Sequence, residues 1–175
     1  MTALRLLAPR YRVAAVTQLS PRLLRAWGIG ALMLDLDNTL VAWAESVPPQ
    51  GVGDWVAELR RSGIPACVVS NSYSSRTRAV AEALGLPVAQ GRFKPSAAKL
   101  RHALRILGTP PACTAMVGDQ LFTDVLAGNR LGVPTILTAP LNPREPLRIR
   151  PIRAIERRVL AALARWGVAP HSLEV

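Results

Sequence analysis

The chain has 175 residues, the length of one domain, and half of them are hydrophobic, so it can bury a core and nothing points to disorder. Its net charge of +11 rests on arginine, with lysine only at Lys94 and Lys99, and favours anionic partners: phosphorylated substrates, acidic lipid headgroups or nucleic acid. The apolar runs are too short for a membrane span, and Arg5, Arg10 and Arg12 break any signal-peptide core, so the expected location is cytoplasmic, with contact to the inner membrane surface left open.

Residues 1–28 form an N-terminal flank in which Ser20 caps, and Pro21 opens, a helix from Pro21 to Trp27. Ala31 to Leu36 is an apolar run leading into acidic residues. A helix is predicted from Gly51 to Arg61, with Val52, Trp55, Val56 and Leu59 on one stripe. The run Pro65 to Ser70 precedes a helix from Ser74 to Leu84. A helix from Ser96 to Leu107, the run Thr114 to Val117, a helix from Phe122 to Leu131 and the run Val133 to Thr138 follow. Gly63, Gly85, Gly108 and Gly132 stand just past the helices, where a left-handed residue closes the last turn. Continuously apolar runs are what strands buried on both faces show. Their alternation with helices predicts an α/β fold, a doubly wound and mainly parallel sheet in one domain over residues 1–175.

Past Pro140 a Pro/Arg-rich stretch leads to a basic amphipathic helix, residues 150–166. Its Ile152, Ile155, Val159, Leu163 and Trp166 recur at spacings of three and four, with Arg153, Arg157, Arg158 and Arg165 between them. The helix is expected to pack on its own domain, with Trp166 as a packing anchor; contact with an anionic membrane is the other reading. Cys67 and Cys113 each sit in an apolar run and are expected to be buried thiols.

Of five aspartates, four occur as two pairs at the ends of predicted strands: Asp35 with Asp37, and Asp119 with Asp124. Open parallel sheets bind ligands at the carboxyl ends of their strands, so both pairs can reach one cleft. Two unit charges about 4 Å apart repel by roughly 4 kcal/mol at an effective dielectric of about 20. A hard divalent cation offsets this, and oxygen ligands with water suit Mg²⁺. Ser70 and Asn71 end another strand with a hydroxyl and an amide. Lys94 precedes Pro95 and Ser96 at a helix start, where a compact ammonium can meet an anion.

Asp35-Leu36-Asp37-Asn38-Thr39-Leu40, Val68-Val69-Ser70-Asn71, Lys94-Pro95 and Gly118-Asp119 with Asp124 resemble, in order and spacing, the four motifs of the haloacid dehalogenase superfamily. The wording is similar to the subfamily IIIA phosphatases called the YqeG family, from about Arg10 to Arg158, and this group is related to the mitochondrial phosphatidylglycerophosphate phosphatases. The resemblance implies a phosphomonoester hydrolase with Asp35 as nucleophile and Asp37 as general acid and base. It implies Mg²⁺ held by Asp35, the backbone carbonyl of Asp37 and Asp119, with Asp124 ligating it directly or orienting a water ligand. Ser70 and Lys94 would hold the phosphoryl oxygens; Asn38 and Thr39, which position the loop and its amides, and Asn71 at the rim complete the phosphate-binding set.

Many enzymes of this superfamily carry an inserted cap, but neither Leu40 to Val69 nor Asn71 to Phe93 leaves room for a domain. The open site favours a large or membrane-presented phosphorylated substrate, with Trp43 and the Val47-Pro48-Pro49 loop as a flap or a packed surface loop. Phosphatidylglycerophosphate is the substrate the resemblance implies. Phosphoprotein, nucleic-acid ends, and a basic RNA- or ribosome-binding protein with an incidental phosphatase site stay open beside it, as does the oligomeric state.

Overall fold

The computed structural model describes residues 2–142, 147, 149–168 and 171–172. In chain order the elements are α1 (Thr2–Arg5), β1 (Tyr11–Val13), α2 (Pro21–Ala26), β2 (Ala31–Leu34), α3 (Val52–Arg61), β3 (Ala66–Val68) and α4 (Ser75–Ala83). They continue with α5 (Ala98–Leu107), β4 (Thr114–Gly118), α6 (Leu126–Arg130), β5 (Thr135–Thr138), α7 (Arg150–Arg165) and β6 (His171–Ser172). The strands form one parallel sheet in the order β3-β2-β4-β5-β1-β6. This is the expected α/β architecture. From β2 the chain steps outward to β3, then returns to place β4 on the other side of β2. That reversal opens a crevice between the carboxyl ends of β2 and β4.

The apolar runs lack alternation because both faces of the sheet are covered. Leu32, Leu34, Ala115 and Val117 face one core with Trp55, Val56 and Leu59 of α3. Met33, Cys67 and Met116 face the other, with Leu100, Ala103 and Leu107 of α5. Gly63, Gly85, Gly108 and Gly132 all take positive φ, as their places after helices require.

The structure departs from the sequence reading in several places. The N-terminal flank contains a strand, β1, hydrogen-bonded to β5. Three residues with Arg12 in the middle give too short an alternation to register, and the ring of Tyr11 stacks on Trp27 at 3.8 Å between centroids. The run to Leu36 and the run to Ser70 leave the ladder at Leu34 and Val68, because beyond them the backbone turns into loops. The helix expected from Phe122 begins instead as a π-helical turn, Leu121–Val125. Cys113 is exposed, since it closes a 3₁₀ turn outside the strand; Cys67 is buried, and burial pushes its thiol up to about 12.

The C-terminal helix departs most. It packs on the domain through Glu156 and Leu163, with Val159 and Leu160 against Leu121, Val125 and Leu137. Ile152, Ile155 and Trp166 of the expected apolar stripe remain 43%, 49% and 56% exposed. Trp166 is therefore no packing anchor. The polar anchors Arg153 and Glu156 set which face turns inward. Residues 143–146 and 148 of the preceding Pro/Arg-rich stretch, and residues 169–170 and 173–175, lie outside the described residues. No helix among the described residues is long and apolar enough to cross a membrane.

Candidate active site

Asp35 follows β2 directly, its backbone N–H donating to Val117 of β4 at 2.9 Å. The chain then closes on itself: the amides of Leu40 and Val41 donate to the carbonyl of Leu36. Asn38 takes φ of +61°, which asparagine tolerates, and its Oδ1 accepts from the amides of Trp43 at 3.1 Å and Asn142 at 3.3 Å. Asn38 and Thr39, expected among the phosphate-binding residues, are 1% and 2% exposed and lie inside the loop. They shape the loop from within, and from this segment Asp35 and Asp37 line the cleft. Asp37 Oδ1 accepts from Arg76 of α4.

The second pair of carboxylates comes from the end of β4. Asp119 follows Gly118, and the π-helical turn swings Asp124 back towards the strand end, where its Oδ2 accepts from Gln120 N at 3.1 Å. Only glycine fits at 118: an added Cβ would stand 2.3 Å from Cγ of Asp124. Asp35, Asp119 and Asp124 each bring a carboxylate oxygen within 4.8 Å of the others. The side chain of Asp37 stands outside this trio.

Lys94 completes the centre. Its Nζ lies 2.5 Å from Asp35 Oδ1 and 2.6 Å from Asp124 Oδ1. Asn71, grouped with the phosphate ligands from sequence, lines the cleft and also clamps Lys94: Lys94 N donates to Asn71 Oδ1 at 2.7 Å, and Asn71 Nδ2 donates to the Lys94 carbonyl at 3.1 Å. Ser70 lines the cleft, its Oγ accepting from Ser72 N at 3.0 Å and its carbonyl from buried Lys99.

So many charges in a dry pocket perturb one another. Burial, opposed by Lys94 and reinforced by Asp124, raises Asp35 to about 7. Burial also raises Asp119, against the pull of Arg153 and with help from Asp35 and Asp124. Burial works against the Lys94 cation, but Asp124 and Asp35 outweigh it and carry its ammonium above the ordinary lysine range. Among the described residues, Asp119 Oδ1 is buried with no hydrogen-bond partner. Three converging carboxylates, two of them held up by burial and mutual repulsion, with one oxygen orphaned, fit a hard divalent cation held by Asp35, Asp119 and Asp124.

Three residues of this site escaped the sequence reading. Arg76 pairs with Asp37 and donates to the Glu45 carbonyl at 2.6 Å, which ties α4 to the loop after the first motif. Arg153 of α7 pairs with Asp119. Glu156, one turn on, accepts from the amides of Leu121 at 2.7 Å and Phe122 at 3.3 Å and holds Arg153 at 3.0 Å. Arg153 reads from the sequence as one of the arginines between the apolar residues of this helix, and Glu156 falls outside the apolar repeat. The available signal was Glu156 itself, an acid among the five arginines of α7, at i,i+3 from Arg153.

The cleft holds about 510 Å³ and is lined by Asp35, Asp37, Trp43, Ser70, Arg76 and Lys94, among others. Between Asp37 and Ser70 the chain forms only a loop, α3 and β3; between Asn71 and Lys94, only α4 and a short extended segment. Neither interval contains an inserted domain.

Comparison with known proteins agrees with this geometry. The haloacid dehalogenase-like hydrolase family profile matches residues 28–132. The probable phosphatase YqeG of Bacillus subtilis is 34% identical over 89% of this chain and 90% of its own length. Phosphatidylglycerophosphate phosphatase 1, chloroplastic/mitochondrial, of Arabidopsis thaliana is 32% identical over 94% of this chain, which spans only 51% of that protein. The cobalt-bound deoxy-D-mannose-octulosonate 8-phosphate phosphatase YrbI of Haemophilus influenzae superposes with a TM-score of 0.50 at 17% identity, covering 79% of this chain and 91% of that one, and shares the fold. The chain belongs to the haloacid dehalogenase-like hydrolases and, within them, to the family of the YqeG phosphatases.

Proposed function

We propose that this protein is a Mg²⁺-dependent phosphomonoesterase that works through an aspartyl-phosphate on Asp35 and acts on phosphatidylglycerophosphate at a membrane surface. The observation that carries the chemistry is the position of Lys94, hydrogen-bonded to both Asp35 and Asp124, where a phosphoryl group bound at Asp35 meets an ammonium. Asp35 attacks phosphorus and the bond from phosphorus to the ester oxygen breaks. Asp37 gives its proton to the departing alkoxide. It then takes a proton from the water that attacks the aspartyl-phosphate, releasing inorganic phosphate and restoring the Asp35 carboxylate. Bound Mg²⁺ supplies positive charge to the phosphoryl oxygens and neutralises Asp35, Asp119 and Asp124. Ser70 lines the cleft as a hydroxyl donor to the same phosphoryl group.

The lipid substrate rests on the plant relative's name and on the surroundings of the cleft. Val47, Tyr73, Phe93 and Leu147 are 75%, 47%, 65% and 74% exposed, and each lies within four residues of a cleft residue on a separate segment. Apolar side chains around an open mouth, on a chain of net charge +11, suit an anionic bilayer that presents the headgroup and closes the cleft. This reading makes the protein peripheral to that membrane. Phosphate release with Mg²⁺ from phosphatidylglycerophosphate in mixed micelles, beside p-nitrophenyl phosphate, a phosphopeptide and a 5′-phosphorylated oligonucleotide, tests it. Preferred turnover of the lipid by at least a hundredfold in kcat/KM is expected; preference for the peptide or oligonucleotide overturns the substrate.

A further inference from the structure

A second groove, of about 490 Å³, lies between the carboxyl end of β5 and α7. Arg12 of β1 and Arg150, Arg153 and Arg157 of α7 line it, with Leu137 and Leu160 among its apolar walls. Its two acids are already engaged. Asp119 pairs with Arg153, while Glu156 takes Arg153 and two backbone amides. Arg12, Arg150 and Arg157 are exposed and have no carboxylate partner among the described residues. Like charges converging on one groove repel, and an anion that binds there relieves the repulsion. Guanidinium groups suit phosphate oxygens in particular. The apolar walls ask that the rest of the anion be greasy. Asp119 belongs both to this groove and to the carboxylate trio, so the two sites are neighbours along the sheet edge.

We propose that this groove is a second anion site, which takes the diester phosphate of a phospholipid headgroup with the glycerol-ester root of its chains against Leu137 and Leu160. The ligand class rests on the lipid reading above, but binding is read without turnover, so either can fail alone.

The test measures binding of dihexanoyl phosphatidylglycerol, below its micellar concentration, to the full chain carrying Asp35→Asn. Inorganic phosphate and a single-stranded RNA 20-mer serve as comparators. Adding Arg12→Ala and Arg157→Ala together is expected to weaken lipid binding at least tenfold. Removing equal charge elsewhere, by Arg101→Ala with Arg105→Ala on the exposed side of α5, is expected to change it less than twofold. If the first pair lowers the melting temperature, Arg12→Gln alone leaves α7 untouched and is expected to weaken binding about threefold. Unchanged lipid binding in the groove variants overturns the site, and an equal loss in the α5 pair reduces it to nonspecific charge. Inorganic phosphate or RNA bound through Arg12 and Arg157 as tightly as the lipid overturns the ligand.

Discussion

Arg153 and Asp119, 34 residues apart in the chain, form an ion pair in which one carboxylate oxygen takes the guanidinium and the other has no hydrogen-bond partner among the described residues. Helix α7 thus orients a carboxylate of the candidate metal site. Removing one partner of a buried pair strands a charge, at a cost of roughly 3–5 kcal/mol. Arg153→Ala is expected to lower the melting temperature of the chelator-treated protein, with added Mg²⁺ recovering most of the loss. A loss that Mg²⁺ leaves untouched would mean that Arg153 serves packing alone.

Glu156 ties the same helix to the π-helical turn that carries Asp124. Glu156→Gln keeps one acceptor for the Leu121 amide but loses the charge that holds Arg153. Metal affinity is expected to fall about tenfold, the lower end of what outer-shell partners of ligands contribute. Titration of Mg²⁺ against phosphate release reads this directly, as a shift in the half-saturating concentration without a matching loss at saturation.

Gly118→Ala places a methyl 2.3 Å from Cγ of Asp124, a distance no relaxation of the flanking strand can absorb without moving the carboxylate. Turnover is expected to fall by at least about a hundredfold, in line with the loss of one preorganised charged group. Retained activity would show that Asp124 can withdraw from the trio at no catalytic cost.

The raised Asp35 gives a dependence on pH with a definite sign. Its carboxyl lies near 3.8 when unfolded and about 7 in the metal-free fold, so the folded state binds its proton more tightly. The stability this contributes is fully present below about pH 4 and is lost as pH rises through about 7. The Asp35→Asn variant should therefore gain on the chelator-treated wild type between pH 5 and pH 8 in differential scanning calorimetry. Mg²⁺ should stabilise the wild type more at the higher pH. Parallel profiles for the two proteins would contradict the assignment.

The sheet was legible because its strands are buried on both faces, so Ala31–Leu34 and Thr114–Gly118 read as unbroken apolar runs. The centre was legible because its groups sit at strand and helix ends in recognisable spacings: Asp35, Asp119, Asp124 and Lys94. β1 was not, because three residues around an arginine carry too little pattern. Arg76, Arg153 and Glu156 were not, because a charged side chain on an amphipathic helix looks the same whether it faces water or a buried carboxylate. Only the packing of α7 and α4 against the crevice decides that. Asn38 and Asn71 were legible as part of the motifs, but not their particular hydrogen bonds, Asn38 to the amides of Trp43 and Asn142 and Asn71 to the backbone of Lys94, because these join segments far apart in the chain.

The measurement that bears most directly on Asp35 as nucleophile is chemical trapping of the intermediate. Rapid acid quench during turnover, followed by borohydride reduction, converts an aspartyl-phosphate into homoserine, which mass spectrometry of the peptide locates. Homoserine at position 35, formed only with substrate and Mg²⁺ and absent from Asp35→Asn, is the predicted result. Steady phosphate release with no trapped residue at position 35, or with the label on another side chain, would contradict it.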